Sequence, residues 1–161
     1  MFKSYLKLVD SNFGKSVITT VDIPSNVPIL EFGGNLLSFD DIKLNFNYEY
    51  CLQIGNDLFL GPSGGIDDYV NHSCNPNSYV HIIGNRAVLY SKYLIKKNSH
   101  INFDYSLSST DDYSRWKMDC KCGSFNCRKI ISGYQYLDDK LKKELERSNY
   151  VPLFQIIKFL R

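Results

Sequence analysis

Short apolar runs separated by turn-forming residues fill the first two thirds of the chain. Runs rich in β-branched and aromatic residues occupy positions 5–9, 17–21, 28–32, 51–54, 58–60, 78–83, 87–90 and 100–103. Asp10-Ser11-Asn12, Pro24-Ser25-Asn26 and Gly33-Gly34 end the first three. Apolar runs of about five residues bounded in this way predict strands. Gly55-Asn56-Asp57 and Gly84-Asn85-Arg86 predict the turns of two hairpins. Segment 39–47 reads as one short helix. The pattern changes near Ser106, where a polar stretch, 106–114, leads to Trp116 and a group of cysteines. Beyond it Leu137, Leu141 and Leu145 recur every fourth residue, and Leu153, Ile156, Ile157 and Leu160 follow the i, i+3, i+4, i+7 rule. These spacings predict two amphipathic helices, divided near residues 149–152, that cover the sheet or each other; a partner-binding face is the alternative. The expected class is mainly β with α.

Composition narrows the picture. The 161 residues suffice for one domain with a short appended module, and 43% hydrophobic residues exclude wholesale disorder. A net charge of +2 is too balanced to imply nucleic-acid binding. No apolar run approaches the ~20 residues of a membrane span, and Met1-Phe2-Lys3-Ser4 is unlike a secretory signal. The expectation is a soluble intracellular protein without membrane or direct nucleic-acid partners. Its five cysteines, Cys51, Cys74, Cys120, Cys122 and Cys127, are an odd number that argues for a metal or free thiols over a disulfide framework.

Three segments carry chemistry. Asn71-His72-Ser73-Cys74-Asn75-Pro76-Asn77 is rich in turn formers, which alone marks a loop. Ile101-Asn102-Phe103-Asp104-Tyr105 is an apolar strand ending in Asp-Tyr, and Cys120-Lys121-Cys122-Gly123-Ser124-Phe125-Asn126-Cys127 supplies three thiols. In this order they resemble the SET-domain protein-lysine methyltransferases with a C-terminal post-SET module. Phe13-Gly14-Lys15-Ser16-Val17 falls where that family has a Gly-x-Gly turn, with Ser16 replacing the second glycine. The resemblance implies small curved β-sheets with a C-terminal pseudoknot. It also implies a SET domain over residues 1–115, a zinc-binding post-SET module over 116–132 and a helical extension over 133–161.

It further implies S-adenosylmethionine as methyl donor and a lysine-bearing protein, a histone tail or another basic segment, as substrate. Tyr105 becomes the expected catalytic residue. Gly14, Lys15, Ser16, Tyr50, Asn71 and His72 are expected at the donor, His72 through its backbone. Phe32 and Phe103 border the lysine channel, and phenylalanine at 103 leaves room for di- or trimethylation. Structural zinc is implied on Cys74, Cys120, Cys122 and Cys127, with Cys51 left as a free thiol. Trp116 or Phe125 could cover the adenine, with core packing the alternative for Trp116. Ser16 weighs toward weakened donor binding, and so toward a second function, a zinc-stabilised reader or adaptor without turnover. In a eukaryote the expected place of action is chromatin; in a virus or bacterium, a host protein. Oligomeric state stays open.

Overall fold

The computed structural model describes residues 3–12, 14–45, 50–110 and 116–158. In chain order, its first strands are β1 (Leu6–Ser11), β2 (Gly14–Thr19), β3 (Pro28–Phe32) and β4 (Leu36–Leu37), followed by helix α1 (Phe39–Asn45). Next come β5 (Leu52–Gly55), β6 (Leu58–Leu60), β7 (Asn71–His72), β8 (Ser78–Ile83), β9 (Arg86–Ser91) and β10 (Asn102–Phe103). The chain closes with β11 (Lys117–Asp119), β12 (Ile130–Ser132), α2 (Asp139–Arg147) and α3 (Leu153–Lys158). They build small sheets: β1 with β2, β3-β9-β8, β4-β6-β5, β11 with β12, and the two-residue parallel pair β7 with β10.

Differences from the predicted runs have local causes. The second run stops at Thr19 because its hydroxyl donates to the Val21 carbonyl at 2.7 Å, turning the backbone out of the ladder. The run 100–103 serves two partners. Ile101 N–H donates to the Val17 carbonyl at 2.8 Å and His100 bridges to Ile18, whereas Asn102 and Phe103 pair with Asn71 and His72. Only the latter half is therefore a strand. This is the crossing on which the expected pseudoknot rests, and it lays the Asp-Tyr end of β10 beside the Asn-His pair. Residues 46 and 47 of the expected helix, Phe13 and Leu160 lie outside the described residues.

Val17, Ile29, Leu30, Ala87, Leu89 and Ile101 are fully buried where the β3-β9-β8 sheet meets β2 and the approach to β10. Full burial of such an aliphatic side chain is worth about 2 kcal/mol, more than surface ion pairs contribute. Gly34 lets this body close on the site. Its φ is +106°, and a Cβ there would lie 1.9 Å from the Gly61 carbonyl oxygen, so only glycine fits. The preceding Gly33 N–H is thereby free to donate to the buried carboxylate of Asp67 at 2.8 Å.

At the other end, Asp138 caps α2 by accepting from the N–H groups of Lys140 and Leu141. Leu141 and Leu145 pack on Leu107, Tyr134 and Val151, and fully buried Gln155 of α3 donates to the Leu107 carbonyl at 3.3 Å. Tyr150, between the helices, packs on Tyr79 of β8 at 4.7 Å, with the Lys92 ammonium 4.3 Å above its ring. The α2 stripe covers the body, while Leu153 and Ile157 on α3 face outward. No helix among the described residues is long and apolar enough to cross a membrane.

Candidate active site

The site begins where β10 ends. Asp104 caps a single 3-10 turn, Tyr105–Ser108, by accepting from the Ser106 N–H at 3.0 Å. The Tyr105 N–H donates to His72 Nδ1 at 3.1 Å, and its hydroxyl donates to the Val70 carbonyl at 2.9 Å. Backbone and side chain of Tyr105 are thus both tied to the segment entering the Asn-His pair. Burial pushes the phenol up to about 12, so it stays protonated and cannot serve as a base near neutrality. A backbone N–H only donates, so His72 Nδ1 accepts and the ring proton sits on Nε2, 3.2 Å from Cys74 Sγ. Burial pulls His72 down to about 4; Asp104 opposes this and Arg128 reinforces it, leaving the ring neutral. With both ring nitrogens engaged, His72 has no atom free for catalysis.

In front of Tyr105 opens a cleft of about 540 Å³. It brings together Lys15, Phe32, Tyr50, Asn71, Phe103, Tyr105 and Trp116 from the predicted residues and adds Cys51, Asp67 and Met118. Phe32 meets Phe103 edge-on with ring centres 5.7 Å apart, and Phe103 meets Tyr105 at 4.9 Å, forming one aromatic wall. Asn71 Nδ2 donates to the Lys15 carbonyl at 2.9 Å and fastens the β1–β2 hairpin to the cleft. Gly14 turns that hairpin at φ +86°. Ser16 is buried and faces a neighbouring polar pocket of about 430 Å³, which it lines with Asn71, His72 and His100. Its Oγ lies 2.7 Å from His100 Nδ1, so the extra side chain has a partner. Phe125 is 92% exposed and lines neither cavity, whereas half-buried Trp116 lines the cleft.

Behind His72 the sulfur atoms gather. One ligand atom each from His72, Cys74, Cys120 and Cys122 lies within 4.8 Å of the others, and the Cys74 and Cys120 Sγ atoms are 3.7 Å apart. Two thiolates about 2.3 Å from a tetrahedral ion would stand roughly 3.8 Å apart, so the spacing suits zinc. Backbone N–H groups aim at the sulfurs, Cys74 N–H at Cys122 Sγ (3.5 Å) and Arg128 N–H at Cys74 Sγ (3.4 Å), as thiolate ligands require. Burial pushes the Cys74 and Cys120 thiols up. It also raises Cys122, but hydrogen bonds from the Cys74 N–H and from Ser124 outweigh it and hold that thiol at about 6. Cys127 is not one of those four but packs beside them with Trp116, Tyr105 and Ile131, its Sγ turned to the Cys120 carbonyl at 3.6 Å. Cys51 sits apart beside Leu37, Ile42 and Phe59, its thiol pushed up by burial to about 11.

A comparison with known families matches the SET domain over residues 14–106. The chain belongs to the SET-domain family. Histone-lysine N-methyltransferase, H3 lysine-36 specific, of Candida albicans is 29% identical over 153 residues, covering 86% of this chain and 18% of that protein. Histone-lysine N-methyltransferase SETD2 of Homo sapiens is 29% identical over 146 residues, covering 78% of this chain and 6% of its own. Among solved structures, KRYPTONITE in complex with mCHH DNA, H3(1-15) peptide and SAH shares the fold, with a TM-score of 0.65 and 23% identity over 78% of this chain and 29% of that one. This SET-domain chain therefore spans under a fifth of the length of these two curated relatives.

Sequence reasoning passed over one pair at the SET-domain site. Arg128 forks onto Asp104, Nη1 to Oδ2 at 2.7 Å and Nη2 to Oδ1 at 2.6 Å, and Asp104 is only 3% exposed. Loss of one partner from such a buried pair costs about 3–5 kcal/mol. The sequence signals were faint: a carboxylate closing an apolar strand and an arginine directly after the last cysteine. His100, the partner of Ser16, left no signal in the sequence.

Proposed function

We propose that this SET-domain chain transfers methyl groups from S-adenosylmethionine to a lysine of a basic protein segment, a histone tail in the first instance. The carrying observation is the cleft in which the Phe32-Phe103-Tyr105 wall meets Lys15 and Asn71. Support comes from relatives named histone-lysine N-methyltransferases and from a fold neighbour solved with an H3 peptide and SAH. Action on histone tails implies chromatin as the place of work.

The donor supplies an electrophilic methyl on a sulfonium sulfur, which the lysine nitrogen takes by direct displacement. The chain's own task is to deliver an uncharged, aligned amine. Free lysine holds its proton up to about pH 10.4, but the apolar Phe32 and Phe103 faces disfavour the ammonium and help it lose that proton to water. The carboxylates of Asp67 and Asp68 line the same cleft and attract the cationic side chain as it arrives. The Val70 carbonyl, fixed by the Tyr105 hydroxyl, and the phenol oxygen then orient the amine. Lys15 offers its ammonium to the donor's carboxylate, and Asn71 and Tyr50 take polar positions on the donor side. Ser16, its hydroxyl engaged by His100, lines the neighbouring pocket beside Asn71 and His72 and takes its place with them on the donor side.

Zinc would be held by Cys74, Cys120, Cys122 and Cys127 as a closed structural site. His72 stands close but carries its proton on Nε2, so it supports the Cys74 thiolate instead of binding the ion. The division into residues 1–115, 116–132 and 133–161 belongs to the same proposal, the middle segment being the one that metal holds in place.

The test is calorimetric titration with S-adenosylmethionine followed by labelled donor on a panel of histone and non-histone peptides. Donor binding and lysine labelling are expected. Donor binding without transfer to any peptide would replace the enzyme by the adaptor. Phe103 sets the product: exhaustive reaction is expected to yield di- or trimethyl-lysine, and Phe103→Tyr, whose hydroxyl crowds the amine, to stop at fewer methyl groups. Mass spectra showing only monomethyl product from the native chain would remove this role.

A further inference from the structure

We propose that Arg128 is a positioning residue, acting through Asp104 on the orientation of Tyr105 and coupling that orientation to the cysteine cluster. This rests on the lysine-methyltransferase reading. Arg128 directly follows Cys127, and its N–H donates to Cys74 Sγ at 3.4 Å. Its guanidinium holds both Asp104 oxygens, at 2.7 and 2.6 Å, and reaches Ser106 Oγ at 3.2 Å. Asp104 is the residue before Tyr105 and the cap of its turn. Its Oδ1 lies 3.6 Å from His72 Nδ1, the acceptor of the Tyr105 N–H. One residue therefore touches a metal-binding sulfur with its backbone and the peptide that carries the phenol with its side chain.

The geometry is specific to arginine. A planar fork fixes the tilt of a carboxylate, which a lysine ammonium cannot do. The fork is kept even though Arg128 Nε is buried without a hydrogen-bond partner. The Asp104 oxygen that Arg128 Nη2 holds also accepts from the Ser106 N–H, so a changed tilt of that carboxylate loosens the cap of the turn on which Tyr105 sits. A displacement of about 1 Å at a reacting centre can cost roughly 100-fold in rate.

Arg128→Lys, Arg128→Gln and Asp104→Asn are compared in the Tyr105 and Tyr105→Phe backgrounds, with kcat, KM, zinc content and hydrogen exchange of residues 104–108 measured. The expected result is a kcat loss of roughly 10- to 100-fold with KM for donor and peptide within about threefold and zinc retained. In the Tyr105→Phe background the further loss is expected to be under about threefold, since the residue acts through a phenol already gone. Exchange at 104–108 is expected to quicken while the β3-β9-β8 sheet stays protected. Native kcat in Arg128→Lys, or losses that multiply in full with Tyr105→Phe, overturns the proposal. If Arg128→Gln fails to fold, the lysine and asparagine variants decide. If the native chain labels no lysine, the enzymatic reading fails separately, and exchange alone decides whether Arg128 holds the turn: unchanged exchange in Arg128→Lys sinks it.

Discussion

Tyr105→Phe leaves a folded, zinc-loaded, donor-binding protein whose turnover falls roughly tenfold or more. The ring stays: its packing on Phe103 at 4.9 Å and His72 at 5.4 Å is untouched by the loss of one oxygen. What disappears is the hydroxyl that steadies the Val70 carbonyl and that the proposed mechanism sets before the amine, a neutral hydrogen bond worth about 1 kcal/mol to stability but more where charge moves. The pH dependence gives the sign. With its phenol pushed up to about 12, Tyr105 keeps its proton throughout the working range and adds no ionisation below about pH 11. Rates in native and variant protein are therefore expected to rise together from pH 7 to 10 as the substrate ammonium deprotonates. Initial rates with labelled donor across that range check this. A limb present in the native profile and absent in the variant would make Tyr105 an acid or base, and near-native turnover in a folded variant would remove it from the mechanism.

Chelation of zinc, or Cys120→Ser, is expected to release residues 116–132 and abolish turnover while the β3-β9-β8 sheet stays folded. Metal binding at such a cluster contributes on the order of 10 kcal/mol, far beyond what the few apolar contacts of Ile131 and Trp116 supply. Limited proteolysis with and without chelator, together with metal analysis, reads the effect. Equal resistance in both would show that packing alone holds the module. Cys51→Ser is the control, because Cys51 lies in a different cluster and its loss should leave the metal content unchanged.

Strands whose side chains alternate or run apolar were legible along the chain, and the structure keeps most of them. Those that were missed, β4, β7, β11 and β12, are two or three residues long and too short to show a period. Asn71–His72 is a strand only because β10 comes to lie beside it, a long-range pairing that local pattern does not record. The same holds at the site. Tyr105, Phe32 and Phe103 came from the motif resemblance, and the cleft holds all three together. Cys120, Cys122 and Cys127 announced themselves by spacing, whereas Cys74 needed the resemblance. The nearness of His72 to those sulfurs, the Arg128 fork and the His100 partner of Ser16 are products of tertiary folding. Each joins groups remote in sequence, and no periodicity marks them.

The two C-terminal helices bear on how the protein could be shortened. Tyr134 N–H donates to the Ser109 carbonyl at 2.8 Å, and Gln155 reaches the Leu107 carbonyl from below. These residues are the floor under the turn that carries the phenol. Trimming immediately behind the last cysteine would strip that floor and wet the apolar side chain of Leu107, so a truncated version useful to an enzymologist must run at least as far as Gln155.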